Sequence, residues 1–236
     1  DRFPDDEDET TSDFPARPPL DPKEEGLMTR PKARRKDLMG PILMAVPDNL
    51  LAKKGKGYRA SKIVAHSYYN DPIIERDNQG ISRISGDASS TVQRKAIDAI
   101  VLAGRQAGME DSQIAYTLAI ANVESGFNPD ASAGTTSASG LGQFIKSTGS
   151  SYGLNDNNRW DIEAQATALV EHTLDNYARA TRNNVSEDYV YKYHHDGPTL
   201  DYGGLAISRN KVKPLVKKYN LMLSDERALK NKEDSN

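Results

Sequence analysis

From Ser90 to Gly126 the apolar residues recur at helical spacing, and nothing in that stretch alternates as a strand does. Ser90 or Thr91 can cap a first helix running to Gly104 or Gly108. Its apolar face is Ala96, Ile97, Ile100, Val101 and Ala103. Asp111 or Ser112 starts a second helix, whose stripe of Ile114, Ala115, Leu118, Ala119 and Ala121 leads to Glu124. Gly126 is a natural C-terminal stop. Downstream, a short helix is expected over Phe144 to Tyr152. A long one is expected from Asp161 to about Thr181, with Ile162, Ala166, Leu169, Val170 and Leu174 on one side. Another, capped by Ser186, runs from Glu187 towards His195 and ends at Gly197-Pro198. A further short helix comes after Asp201, and the last begins near Lys211 or Pro214. The fold class read from this pattern is mainly α.

The chain divides into four segments. Residues 1–62 form an extended or flexible N-terminal arm, because prolines at 15, 18, 19, 22 and 31 prevent regular structure around the acidic block Asp5 to Glu9. Residues 63–90 form an irregular lead-in that packs on the helical domain, with a hairpin or a small separate unit as alternatives. Residues 91–223 form that helical domain, long enough for a real core. Residues 224–236 form a charged, frayed tail. The arm carries the basic clusters Arg30 to Lys36 and Lys53 to Lys62. One reading is a solvated face; the other is a docking arm for a protein partner or an anionic polymer.

Composition removes several function classes. The chain has 236 residues, a formal charge of −3 and no cysteine. Disulfides and thiolate metal sites are therefore excluded. The charge argues against nucleic acid as a partner, and no aromatic interleaving along the basic clusters supports one. No apolar run approaches the roughly 18 residues of a membrane span. The first residue is Asp1, which fits removal of an upstream signal, tag or propeptide.

The chemistry centres on Glu124-Ser125-Gly126-Phe127-Asn128-Pro129 and, after a polar loop, Gly140-Leu141-Gly142-Gln143-Phe144. A carboxylate in the last turn of a helix faces the negative end of the helix dipole. Partial burial beside Phe127 and Phe144 disfavours its charge further, so its pKa should rise and it should act as a proton donor. An exposed helix-end Glu without a role is the alternative. Ser125 can orient the carboxyl group or a sugar substituent. Gly140 and Gly142 allow close approach of a ligand, and Gln143 offers both a donor and an acceptor.

The run Glu-Ser-x-Phe-x-Pro with Gly-Leu-x-Gln-Phe and Ser-Thr after it resembles the soluble lytic transglycosylase family, which shares a lysozyme-like fold with goose-type lysozymes. The likeness spans roughly residues 93 to 215 and is strongest from Glu124 to Thr148. It implies a lysozyme-like helical catalytic domain behind an irregular N-terminal region. It implies Glu124 as catalytic acid/base, with Ser125, Gln143 and Phe144 at the glycan and no cofactor. The family's Ala-Tyr-Asn-Ala-Gly stretch corresponds to Tyr193-His194-His195-Asp196-Gly197, which puts His194 at the tyrosine position. Gly142, where the family usually has methionine, and the longer loop look more like domains of phage particles and secretion systems. The implied partner is the glycan strand of peptidoglycan. The implied location is the periplasm of the cell envelope, reached directly or through a virion or secretion system.

The implied reaction cleaves the β-1,4 bond between N-acetylmuramic acid and N-acetylglucosamine, leaving a 1,6-anhydro end without a second protein carboxylate. A hydrolytic muramidase is the rival. It needs a second carboxylate, about 6.5–9.5 Å away in inverting enzymes. Asp196 and Asp201 are the candidates, with helix and turn capping as their alternative roles. A non-catalytic glycan-binding or structural module is a third class. Tyr202 could line the cleft, and Tyr189, Tyr191 or Trp160 could stack on sugars, with Trp160 more naturally a core residue. His194 and His195 point about 100° apart on a helix, so no metal site is expected.

Overall fold

The computed structural model describes residues 48–53, 67–73, 80 and 82–233. Contacts divide the chain into Asp1–Gly40 and Pro41–Asn236, and every described residue lies in the second unit. Most of the arm expected over residues 1–62, with its docking partner, thus falls outside the described residues.

Among the described residues eight helices run in chain order. They are α1 (Ser67–Asn70), α2 (Ser90–Gln106), α3 (Asp111–Ser125), α4 (Lys146–Ser151), α5 (Ile162–Arg182), α6 (Asp188–Asp196), α7 (Gly204–Ile207) and α8 (Lys213–Glu233). A 3-10 turn, Asp48–Leu50, precedes them, and a π turn, Ser208–Val212, joins α7 to α8. Among the described residues the only β pairing is a pair of isolated bridges, Ser132 with Ser139 and Ser139 with Phe144. The domain is mainly α, as the sequence predicts.

The helix ends obey their capping chemistry. Ser89, one residue before the expected cap, accepts the Val92 amide at 3.3 Å. Glu110 precedes α3, and its amide donates to the Gln113 side chain at 3.0 Å, half of a capping box. Asp161 accepts the Ala164 amide at 2.8 Å at the start of α5. Gly126 ends α3 in the left-handed region at φ 58°.

α3 is the hub of the domain. Its Ile114, Ala115, Leu118, Ala119, Ile120 and Ala121 are completely buried, because neighbours cover it on more than one side. Its alanines let α8 approach closely, while α2 packs mainly on α5. Truncating one of the large side chains here would cost about 2–5 kcal/mol. Such a fully enclosed helix gives the site a rigid base.

The described parts of the arm, residues 48–53, and of the lead-in are fastened to this core by polar pairs. Gln93 receives the Ala52 amide at 2.7 Å and donates to the Ala52 and Ala88 carbonyls. Tyr219 of α8 donates to the Leu50 carbonyl at 3.0 Å and receives Asn122 at 2.7 Å. Arg83 lies 4.2 Å over the Trp160 ring and donates to the Asp71 carbonyl at 2.6 Å. Arg159 lies 3.5 Å over Tyr68 and pairs with Asp71 and Asp156. Trp160 is half-buried under Arg83 and Arg159, outside the apolar core where the sequence reading places it.

The C-terminal end differs from expectation. Where the sequence predicts a frayed tail after Ser224, α8 continues to Glu233. Charge explains it: Arg105 of α2 meets Glu226 at 2.9 Å, and Arg227 meets Asp111 of α3 at 2.7 Å.

Candidate active site

Glu124 occupies the last turn of α3, one residue from its end. The left-handed turn at Gly126 and a second one at Phe127, φ 57°, send the chain away and leave the carboxyl group at the edge of the core. Its side chain is 15% exposed, enough for a ligand to reach it and too little for full hydration. Burial pushes its pKa above the usual carboxylate range. Hydrogen bonding from Tyr191 and the charge of His195 oppose that rise without cancelling it.

The loop after Asn128 is built from inside. Gln165 of α5 is buried, accepts the Leu141 amide at 2.7 Å and donates to the carbonyls of Pro129 and Arg159. Gly140 leaves room for it, since a Cβ there would lie 2.5 Å from the Gln165 oxygen. Ser125 is completely buried, with its Oγ 3.0 Å from the carbonyls of Ala121 and Leu141. It therefore clips the loop to α3, and neither the Glu124 carboxyl nor a sugar is within the reach expected of it. Gln143 sits at φ 49°, and its Nε2 donates to the Ala131 and Gly140 carbonyls at 3.2 and 2.9 Å. Its amide oxygen is left for a ligand. Phe144 is buried, T-shaped against His172 with centroids 5.1 Å apart and stacked near Tyr152, so it supports the loop from beneath.

α6 supplies the opposite wall. Tyr191, His194 and His195 lie one turn apart on one face, because positions i, i+3 and i+4 coincide on a helix. Tyr191 Oη donates to Glu124 Oε1 at 2.7 Å. Its own pKa is raised by burial and by the Glu124 charge, so it stays a donor. The resemblance puts His194 in the tyrosine's place; the geometry gives that contact to Tyr191 instead, one turn earlier.

His194 is 3% exposed, and its Nε2 donates to the Gly142 carbonyl at 2.9 Å, while Glu124 Oε1 is 4.0 Å away. With that hydrogen on Nε2, Nδ1 is an acceptor, and the His172 Nδ1 at 3.1 Å must donate to it. Burial pushes His194 down to about 4 and His172 to about 3. Both rings are neutral at neutral pH. His194 therefore supports the loop without lowering the acid's pKa as a charged imidazole would.

The two candidate second carboxylates are both capping groups here. Asp196 has a fully buried side chain. Burial pushes its pKa up, but hydrogen bonds from His195 and from the Tyr202 and Gly204 amides outweigh that together, so it stays below the usual carboxylate range. Its Oδ2 accepts Gly204 at the start of α7 at 3.1 Å. Asp201 is exposed and accepts the Gly203 amide at 3.1 Å, which closes a turn. Tyr202 is 69% exposed beside it. Tyr189 is half-buried against Tyr193, at 5.9 Å between centroids. No group of three or more His, Cys, Asp or Glu side chains among the described residues is arranged to hold a metal.

Tyr191 and Gln165 are the residues that the sequence does not single out in these roles. The helical spacing of Tyr191 from His194 is the signal that could have found the first. Nothing local marks Gln165, whose partners lie 24 and 36 residues away.

Removing the Tyr191 hydroxyl leaves the Glu124 carboxylate without its charge-assisted donor, a bond worth about 1.5–3 kcal/mol. Tyr191→Phe should move the acid's pKa upward, because that hydrogen bond is what holds it down. The high-pH limb of a pH–rate profile would shift the same way. An unmoved limb would mean that the hydrogen bond does not tune the acid.

A largely buried carboxyl ends the central helix, faced by a polar loop and by a tyrosine from a later helix. Residues 94–196 match the family model for phage tail lysozymes. The match runs from within α2 to the end of α6 and so contains Glu124, the loop and Tyr191. It covers under half of the 236-residue chain. No curated protein and no solved structure matches the chain. No helix among the described residues is long and apolar enough to cross a membrane.

Proposed function

We propose that this chain cleaves peptidoglycan glycan strands as a lytic transglycosylase. It acts on the β-1,4 bond between N-acetylmuramic acid and N-acetylglucosamine and leaves 1,6-anhydro ends. The observation that carries the reading is Glu124, a solvent-reachable carboxyl whose pKa burial raises, while the nearby Asp196 is spent on hydrogen bonds inside the protein. One free carboxyl group suits chemistry in which the substrate assists its own cleavage. Glu124 protonates the glycosidic oxygen as the bond breaks. The muramoyl acetamido group stabilises the positive charge developing at C1, and the sugar's own 6-hydroxyl closes the ring. The Gln143 amide oxygen and the exposed Tyr202 ring are the proposed contacts for sugar substituents and a sugar face. A phage particle that delivers the domain to the periplasm fits the family match.

Hydrolysis by the same fold is the second reading. It is favoured by the lysozyme name of the matching family and by a histidine paired to a carboxylate beside the acid. Mass spectrometry of muropeptides released from purified sacculi separates the two. Anhydro ends, lighter than reducing ends by the mass of one water, are expected. Reducing ends alone would replace this reading with a muramidase.

A further inference from the structure

His195 is the one histidine of the site whose ring is open to solvent, its side chain 32% exposed. Its Nδ1 lies 2.6 Å from Asp196 Oδ1. A carboxylate accepts only, so Nδ1 carries a hydrogen, and in the neutral ring the lone pair lies on Nε2. The ring lies alongside Tyr191, with centroids 5.8 Å apart. Tyr191 in turn holds Glu124 at 2.7 Å. An imidazole with a fixed tautomer thus stands beside the acid, on the solvent side of the same wall. Asp196 is fastened from behind by the Gly204 amide, so the pair cannot swing away without unmaking the start of α7.

We propose that His195 is the base that takes the nucleophile's proton, with Asp196 as its positioning residue. This rests on the glycan-cleaving reading of Glu124 and deepens it, since it divides two proton transfers between α3 and α6. As the C1–O4 bond breaks, the Glu124 proton goes to the departing oxygen. The muramoyl 6-oxygen bonds to C1, and its proton goes to His195 Nε2. The site is left with a Glu124 carboxylate and a His195 imidazolium, which attract one another. Transfer of that proton back to Glu124 restores the starting state, so protons and electrons balance with no other reactant. The orientation of an imidazole by a buried carboxylate serves the same end in other acid–base sites.

The titratable groups facing His195 are Glu124 from α3 and His194, Tyr191 and Asp196 from its own helix. Burial keeps His194 neutral and its Nε2 is occupied by the Gly142 carbonyl, so of the two histidines only His195 is placed to act as the base. His195→Asn is the informative variant, because its amide can still donate to Asp196 while the base is gone. His195→Gln is the second variant, should the first lose its fold. With the full chain and purified sacculi, kcat should fall about 100-fold with KM unchanged, and the acidic limb should flatten. Thermal unfolding should match the wild type. Activity within about threefold of wild type with both limbs intact would overturn the proposal, since a general base contributes on the order of 10²-fold or more. So would a raised KM at unchanged kcat, which marks a sugar contact. If the wild type itself releases no muropeptides, the glycan-cleaving reading has failed, and the dyad falls with it.

Discussion

Glu124→Gln should lose activity on sacculi by a factor on the order of 10²–10⁴ and yet be the more stable protein at neutral pH. The loss arises because Gln cannot supply a proton to the departing oxygen. The gain arises from the direction of the pKa shift. Burial raises the folded-state pKa of Glu124 above its unfolded value, so the folded protein holds the proton more tightly. That contribution to stability is complete below the unfolded value and is lost as the pH rises through the folded one. A neutral amide removes this dependence while its oxygen can still accept Tyr191. Sacculus turbidity and thermal melts at about pH 5 and about pH 7 check both halves. Equal clearing by variant and wild type would remove Glu124 from the chemistry. An equal gain in melting temperature at both pH values would remove the pKa account.

Gly126→Ala is expected to be the most damaging small substitution in the site, costing about 2–5 kcal/mol. The left-handed φ of 58° costs a residue with a Cβ roughly 1–2 kcal/mol. The added carbon would also lie 2.5 Å from Gly86 Cα and 2.6 Å from Gly86 N, which are backbone and cannot rotate aside. Such overpacking costs about 1–3 kcal/mol more. Gly108→Ala is the matched control, with φ 74° and no atom within 4 Å of the new carbon. Urea midpoints should fall several times further for Gly126→Ala than for Gly108→Ala. Equal falls would show that the lead-in gives way freely at Gly86.

The helical frame was legible because apolar spacing is local. α2, α3 and α5 stand where their periodicity puts them, and Gly126 stops α3 as its lack of a Cβ allows. The acid's environment was legible for the same reason, since the helix end and the flanking Phe127 are next to it in sequence. What was not legible depends on which atoms meet across the fold. Ser125 could as well have pointed outward. Its hydroxyl is consumed by Leu141, 16 residues on, and no spacing rule predicts that. Tyr191 and His194 compete for one role from the same helical face, and a register of three residues decides between them. Asp196 reads in one dimension as either a second carboxylate or a cap, and the return of Gly204 against it decides for the cap. α8 extends past Ser224 because its charges find partners on α2 and α3, which are more than 100 residues distant.

The segment from Gly197 to Gly203 is clamped through its backbone, while its side chains stand in solvent. Lys192 of α6 donates to the Gly197 and Leu200 carbonyls, and Asp196 holds Gly204, while Leu200 and Tyr202 are 50% and 69% exposed. The acid stands on a different and fully enclosed helix. Residues 198–202 can therefore be exchanged or lengthened with little thermodynamic penalty to the machinery beneath. For an engineer the segment is a cassette: libraries randomised there would vary the exposed side chains, Tyr202 among them, while the helices beneath stay as they are.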